Sequence, residues 1–164
     1  IKACLRFLLY RAAITFCLSP TLAIANINIP LYEKGTDVFY LKAHLTGYGD
    51  SEFMLDTGSG PSAVASDILT TLKQAGKASW SHNSFALLAN GERQTFRIYR
   101  IHSLQLNDSC TLKNIEAAEL PAGTRNIIGI NLLKQTAPFS INTDPMVLSL
   151  GTCKSHSAIQ VTSL

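Results

Sequence analysis

The tetrapeptide Asp56-Thr57-Gly58-Ser59 follows directly on the apolar run Phe53-Met54-Leu55. Such a run is typical of a buried strand, and a polar segment with Gly after it indicates a tight turn. The chain must therefore adopt a fold in which a strand delivers a carboxylate, on a sharp turn, to the edge of an apolar core. Because Asp-x-Gly is also a common turn, the rest of the sequence decides what this turn does.

The first 25 residues differ in composition from the rest. Three basic residues precede the uncharged stretch 12–25, which ends in the small-x-small sequence Ala23-Ile24-Ala25. This pattern predicts a signal peptide over residues 1–25, cleaved near Ala25, and hence an exported protein, periplasmic or secreted. The alternative is an uncleaved anchor, although a spanning helix needs roughly 17–25 apolar residues. After cleavage we expect no stable membrane span.

Removal of this leader changes both the charge and the cysteine content. The chain has 14 basic and 11 acidic residues, and three of the basic ones lie in the leader, which leaves 11 of each sign. A formally neutral domain gives no electrostatic reason to expect nucleic-acid binding. Cys4 and Cys17 also lie in the leader, whereas Cys110 and Cys153 remain. In an exported protein these two form either a disulfide or two separate thiols.

Residues 26–152 are predicted to form one all-β domain, followed by a polar tail over residues 153–164. A helix capped by Ser66 or Asp67 is expected to end at Gly76, with a polar loop over residues 77–84. The strand-like runs are 36–46, 52–55, 62–64, 85–89, 92–101, 104–106, 110–112, 115–120, 139–141 and 146–150. Many short strands without βαβ alternation predict a closed, barrel-like fold with one or two short helices.

Two later segments give the acidic turn a context. Asn90-Gly91 lies between two strand-like runs, which is the strongest short-range signal for a β-hairpin. Ile127-Ile128-Gly129 follows about 70 residues after Asp56 and precedes a predicted short helix over residues 130–135. The order is therefore acidic turn, hairpin, and an apolar-apolar-Gly segment before a helix.

This order resembles that of the retroviral-type, or retropepsin-like, aspartic proteases, especially their single-domain bacterial members. The resemblance covers about residues 39–150 and implies the closed acid-protease barrel, with Asp56 as the catalytic residue. The residues that would support the active-site loop are Thr57, Gly58, Ser59, Ile128 and Gly129. The residues that would form the tip of a substrate-binding flap are Ala89, Asn90, Gly91 and Glu92. No metal or cofactor is implied.

Hydrolysis of an amide by water needs a base for the water and an acid for the leaving nitrogen. Two carboxylates about 3 Å apart can share one proton and serve as both. The sequence contains no second Asp-Thr-Gly or Asp-Ser-Gly, and 164 residues are too few for two lobes. We therefore expect an aspartic endopeptidase in which each protomer of a homodimer supplies one Asp56. The alternative, which a monomeric state would favour, is a catalytically silent peptide-binding domain of the same fold.

The neighbours of Asp56 give further expectations. The Thr57 hydroxyl is expected to brace the loop against a partner backbone, and the Ser59 hydroxyl to hydrogen-bond the Asp56 carboxylate. Two features depart from the family pattern. Gly60-Pro61 is expected to reshape one wall of the cleft, and Ile130 stands where many viral members carry an Arg that locks the dimer.

Other chemistry is not indicated by the sequence. No Gly-x-Ser-x-Gly motif occurs, and the histidines lack the spacing of metal ligands, so we expect neither a serine hydrolase nor a metal site. The histidines are His44, His82, His102 and His156. Arg93, Arg97 and Arg100 are expected to form a solvated strand face, with a preference for acidic substrates as the alternative. Trp80 is expected to pack on the barrel, or alternatively to contact substrate.

Overall fold

The computed structural model describes residues 26–87 and 91–153. The predicted signal peptide, the tail from residue 154 onwards, and Ala89 and Asn90 of the predicted flap tip lie outside the described residues. Within the described residues, no helix is long and apolar enough to cross a membrane.

Strands dominate the described part of the chain, which contains eleven of them and two short α-helices. The strands are β1 (Ile27–Pro30), β2 (Tyr32–Glu33), β3 (Phe39–Leu45), β4 (Gly49–Leu55), β5 (Ser62–Ala65), β6 (Ala78–Leu87), β7 (Arg93–Asn107), β8 (Cys110–Leu120), β9 (Asn126–Ile128), β10 (Phe139–Thr143) and β11 (Met146–Leu150). The helices are α1 (Ser66–Gln74) and α2 (Ile130–Leu133), and α2 continues into the 3-10 turn Lys134–Thr136.

Six of the strands close a barrel. Their order is β3-β4-β9-β5-β8-β7, and β7 returns to β3 through the pairs His44–Gln105 and Leu45–Leu104. β2 and β6 extend this sheet beyond the closure, and β6 lies at its edge. The predicted all-β barrel with one or two short helices is confirmed.

The core fills the inside of the barrel, as the alternation along β3 requires. Leu41, Ala43 and Leu45 are buried, whereas Lys42 and His44 between them are exposed. α1 covers one opening with Ile68, Leu69 and Leu72, all of them buried. Gly76, at φ +65°, follows the end of α1 where the sequence predicts it, because glycine adopts this left-handed conformation without strain.

Three local predictions are wrong. α1 begins at Ser66 after Ala65, and neither Ser66 nor Asp67 provides a side-chain cap. Residues 77–84 are not a loop, since β6 starts at Ala78 and pairs with β7. β6 is polar because an edge strand exposed on both sides needs no apolar face. The runs 92–101 and 104–106 are one strand, β7, and 110–112 and 115–120 are likewise one strand, β8.

A second, three-stranded sheet has the order β1-β11-β10. In it, Leu150 of β11 pairs with both Ile27 of β1 and Phe139 of β10, which confirms the predicted closing hairpin. Cys153, just after β11, forms a disulfide with Cys110 at the start of β8. The small sheet is thereby tied covalently to the hairpin between β7 and β8.

Candidate active site

Asp56 follows the last residue of β4 and is held from below by β9. β4 and β9 are parallel, with Leu55 opposite Ile128, and the Asp56 backbone N–H donates to the Ile128 carbonyl at 3.0 Å. The loop therefore starts from a fixed point on the barrel. The acidic turn and the Ile127-Ile128-Gly129 segment therefore meet in space.

The carboxylate of Asp56 is oriented by backbone groups of its own turn. Its Oδ1 accepts the Gly58 N–H at 2.9 Å and the Ser59 N–H at 3.2 Å, and the Ser59 N–H also lies 3.2 Å from the Asp56 carbonyl. Within the described residues, Oδ2 makes no hydrogen bond. The half-buried carboxylate is thus fixed by one oxygen, and the other stays available to a reactant.

The Ser59 hydroxyl does not bind the Asp56 carboxylate, and that prediction is wrong. It donates instead to the Pro61 carbonyl at 2.7 Å. The turn already directs two N–H groups at the carboxylate, so the hydroxyl is free to bind the next carbonyl along the loop. Thr57 is exposed at the tip of the turn, and its contact with a partner backbone stays a prediction.

Gly129 is the point where α2 and the active-site loop come closest. A Cβ atom at this position would lie 2.5 Å from the Pro61 carbonyl oxygen and 2.9 Å from that of Ser59. Directly after it, the Ile130 N–H donates to the Ser59 carbonyl at 2.9 Å and the Asn131 N–H to the Gly60 carbonyl at 3.1 Å. The start of α2 therefore supports the loop through its own free N–H groups, and only glycine permits the approach.

Gly129→Ala is expected to lower the free energy of unfolding by about 1–3 kcal/mol, because the added methyl group must displace the loop backbone. Chemical denaturation followed by circular dichroism measures this change. Gly60→Ala is the matched control, since a Cβ at Gly60 would meet no atom within 4 Å. Equal stability of the two variants would contradict the close packing at Gly129.

Three polar residues that the sequence analysis missed hold the loop and the strands around it. The Asn131 Oδ1 accepts both the N–H and the hydroxyl of Ser62 at 2.7 Å, and its Nδ2 donates to the Glu116 carbonyl at 2.9 Å. The Ser62 hydroxyl oxygen in turn accepts the Gly129 N–H at 2.9 Å.

Asn126, which is 6% exposed, links β5 and β4: its side-chain oxygen accepts the Ala65 N–H, and its amide donates to the Glu52 carbonyl. Asn126 and Asn131 lie on either side of the Ile127-Ile128-Gly129 segment, and this position in the sequence could have identified them as candidates.

β6 and β7 form a hairpin that extends beyond the barrel. The pairing of β7 with β8 ends at Ile98–Ala118, whereas the pairing with β6 continues to Leu87–Arg93. The outer part is thus a two-stranded ribbon, in which the Arg93 guanidinium lies 4.1 Å from the centre of the Phe85 ring. The predicted hairpin is confirmed, with β6 ending at Leu87 and β7 beginning at Arg93; residues 88–90 between them lie outside the described residues. Gly91, at φ +85°, and Glu92 are the described residues of this connection.

A cavity of about 290 Å³ lies between the ribbon and the active-site loop. Gly60 and Pro61 form its wall on the loop side, Phe85 and Phe96 its wall on the ribbon side, and Ala118 belongs to β8 between them. Gly60 and Pro61 therefore line this cavity, and their expected reshaping of the cleft wall stays a prediction. The volume suffices for a large side chain of a bound ligand.

Of the remaining candidates, the basic residues of β7 have structural partners, whereas Trp80 is exposed. Arg97 pairs with Glu119 at 2.6 Å, and Arg100 with Glu116 at 3.3 Å, so the basic residues of β7 are held by β8. Trp80 on the edge strand is 59% exposed, which contradicts its expected packing on the barrel. In the part of the chain that the structure describes, no cluster of His, Cys, Asp and Glu is suited to a metal ion.

No protein-family model and no curated protein matches the chain. Among solved structures, it is similar to a retropepsin-like aspartic protease from Rickettsia conorii, with 23% sequence identity and a TM-score of 0.55. The match covers 77% of this chain and 89% of the Rickettsia protein. At this level of identity the likeness establishes the fold and leaves the activity to be argued from the site. The chain has the fold of the retropepsin-like aspartic proteases.

Proposed function

We propose that the protein is an aspartic endopeptidase that hydrolyses peptide bonds with water activated between two Asp56 carboxylates, one from each protomer of a homodimer. The observation that carries this proposal is the Asp56 loop. Its carboxylate accepts two backbone N–H groups, and Gly129 and Ile130 brace the loop from below. The similarity in fold to a retropepsin-like aspartic protease supports the same assignment.

The chemistry follows from placing two such carboxylates about 3 Å apart, where they hold one proton between them. The ionised Asp56 takes a proton from water as the water oxygen attacks the carbonyl carbon of the substrate. The protonated Asp56 hydrogen-bonds the carbonyl oxygen and stabilises the negative charge that develops there. The Asp56 carboxyl group that took the proton from water then gives it to the nitrogen, and the C–N bond breaks. Neither a metal nor a cofactor is required.

The homodimer follows from stoichiometry, because the sequence has a single Asp-Thr-Gly. Thr57 is exposed beside Asp56, where its hydroxyl can bind the backbone of the partner loop. Ile130 is uncharged and packs half-buried against the core, so it does not provide a charged contact that locks the dimer. We expect apolar and backbone contacts to hold the protomers together.

The substrate would be an extended peptide or protein segment lying between the Asp56 loop and the ribbon of β6 and β7. Residues 89–92 would close over it as a flap, and the cavity beside Gly60 and Pro61 would accept one of its side chains. We place this activity in a domain spanning residues 26–152 of an exported protein, periplasmic or secreted, with a signal peptide over residues 1–25 and a polar tail over residues 153–164.

Peptidase activity per chain is expected to fall on dilution, because a monomer has only one of the two carboxylates. A fluorogenic peptide library at pH 4–6 first identifies a cleaved sequence. Its rate is then measured across a dilution series, with the oligomeric state followed by sedimentation. Constant activity per chain in a monomeric regime would exclude the shared site. Peptide binding without cleavage at any concentration would support the catalytically silent alternative.

A further inference from the structure

A second, smaller apolar cluster lies apart from the main core. It consists of Ala63, Ile98 and Ala118, with Phe96, Leu120 and Ile127 packed against it. Phe96, Ile98 and Ala118 also line the cavity beside Gly60 and Pro61. This second cluster is therefore the floor of the space between the active-site loop and the ribbon. Met54 belongs to the same face, because it lies opposite Ile127 in the pairing of β4 with β9.

Arg125 lies at the end of this face. It immediately precedes β9, and its Nη1 lies 3.5 Å from the Met54 sulfur. This contact places the Arg125 side chain on the same side as Met54 and its partner Ile127. Arg125 is three residues before Ile128, whose carbonyl holds Asp56, and this spacing corresponds to about 10 Å along a strand. The guanidinium is thus within reach of a peptide that lies across Asp56.

No carboxylate neutralises Arg125 within the described residues. The nearest acidic residue along β4 is Glu52, whose backbone carbonyl accepts the Asn126 amide. Both carboxylate oxygens of Glu52 are engaged elsewhere, by Lys34 at 2.6 and 2.7 Å and by the Tyr32 hydroxyl at 2.6 Å. The hydrogen bonds from Lys34 and then Tyr32 hold the pKa of Glu52 below its usual value. The Glu52 carboxylate is therefore paired with Lys34 and Tyr32 and not with Arg125. Arg125 differs in this respect from Arg97 and Arg100.

The loop before Arg125 is fixed at both ends of its turn. The Thr124 N–H and hydroxyl both bind the Pro121 carbonyl, at 3.3 and 2.7 Å. The Gly123 N–H donates to the Asp67 carboxylate at the start of α1, at 3.3 Å. The backbone that carries Arg125 is thereby held against the body of the domain. The backbone position from which the guanidinium extends is therefore preorganised, which lowers the entropy cost of binding a ligand there.

We propose that Arg125 is a specificity-determining residue that selects an acidic side chain, Glu or Asp, in the substrate. The inference rests on the proposed function, since it takes the peptide to lie across Asp56. An extended peptide advances about 3.3 Å per residue, so the selected side chain lies within about three residues of the cleaved bond. A guanidinium can bind a carboxylate through two parallel N–H bonds, whereas the amide of Gln offers only one acceptor oxygen.

The test uses pairs of peptides that differ only by Glu or Gln at one position flanking the cleaved bond. At one such position we expect wild-type kcat/KM to favour Glu by about tenfold, as for a hydrogen-bonded charge pair. Arg125→Gln is expected to abolish this preference, and Arg125→Glu to replace it by a preference for Lys. Lys113→Gln, which removes an exposed charge on β8, away from Arg125, should leave the preference unchanged. A wild-type enzyme without charge preference, or an Arg125→Gln variant that keeps it, would overturn the proposal.

A binding experiment separates failure of this inference from failure of the proposed function. Asp56→Asn protein, with and without Arg125→Gln, is titrated calorimetrically with the same Glu and Gln peptides. If wild type cleaves no peptide but Asp56→Asn binds the Glu peptide more tightly through Arg125, the endopeptidase assignment fails and the role of Arg125 stands. If wild type cleaves peptides without regard to charge, and binding is equally indifferent, the role of Arg125 fails and the assignment stands.

Discussion

Asp56→Asn is expected to lower kcat/KM for peptide cleavage by at least about 10³-fold while the barrel stays folded. The amide of Asn can still accept the Gly58 and Ser59 N–H groups through its oxygen, so the turn keeps its shape. It cannot take a proton from water, and a dimer of the variant has no ionisable pair at all. Steady-state kinetics on a cleaved peptide, with circular dichroism and thermal unfolding, measures both parts of this expectation.

The matched control is Asp50→Asn, the same chemical change on β4, the strand that leads to Asp56. Asp50 is exposed and pairs with His44 at 2.7 Å, near the start of β4 and away from the active-site loop. Its activity should equal that of the wild type. An Asp56→Asn variant that cleaves peptides as fast as this control would exclude the mechanism.

Mixing wild-type protein with Asp56→Asn protein tests whether both protomers contribute to the active site. If each site needs an Asp56 from both protomers, random exchange with Asp56→Asn leaves active dimers in proportion to the square of the wild-type fraction. An equimolar mixture should then have about half the activity expected for two independent proteins, because half of the wild-type chains sit in mixed dimers. Activity that follows the wild-type fraction linearly would show that one chain is sufficient.

The fold was predictable from the sequence where burial is one-sided. Alternation along β3 is clear because one of its faces lines the core, and the hairpins follow from turn residues between apolar runs. Residues 78–84 of β6 were missed because an edge strand carries no such pattern, whereas the end of β6 lies within the predicted run 85–89. The continuity of β8 was also missed, since Asn114 interrupts the apolar run with φ +53° while the pairing with β7 continues past it. A local hydrophobic pattern indicates which side chains are buried. Which strand a segment pairs with depends on another part of the chain, so the local pattern does not reveal it.

The residues of the candidate site were also predictable only where the sequence signal is local. Asp56 and Gly129 were identified because their motifs are local and follow one another in a recognisable order. Ser62, Asn126 and Asn131 were not, because each hydrogen bond that they make across the site joins residues 15–74 positions apart. The role of the Ser59 hydroxyl was mistaken because two acceptors lay within its reach, and only the loop geometry selects Pro61.

Replacing both Cys110 and Cys153 by Ala is expected to lower the free energy of unfolding by about 4 kcal/mol. The disulfide closes a loop with a sequence separation of 43, and the chain-entropy model assigns that loop about this cost in the unfolded state. Urea denaturation of the oxidised wild type and the double variant measures the difference. Cys153→Ala alone keeps the buried Cys110 thiol, so the single and double variants together separate loss of the crosslink from loss of packing.

The location of the disulfide determines which part of the fold its loss should affect. It joins the end of β11 to the start of β8. Without it, the sheet of β1, β10 and β11 is held to the barrel by packing of residues such as Ile29, Leu148 and Leu150 and by the hydrogen bond from the Asn107 amide to the Asn28 carbonyl at 3.4 Å. Amide hydrogen exchange should accelerate first in these strands and least in β4 and β9, which carry the active-site loop. Equal unfolding free energies for the oxidised and reduced wild type, with the bond verified by mass spectrometry, would contradict this role. So would faster exchange centred on β4.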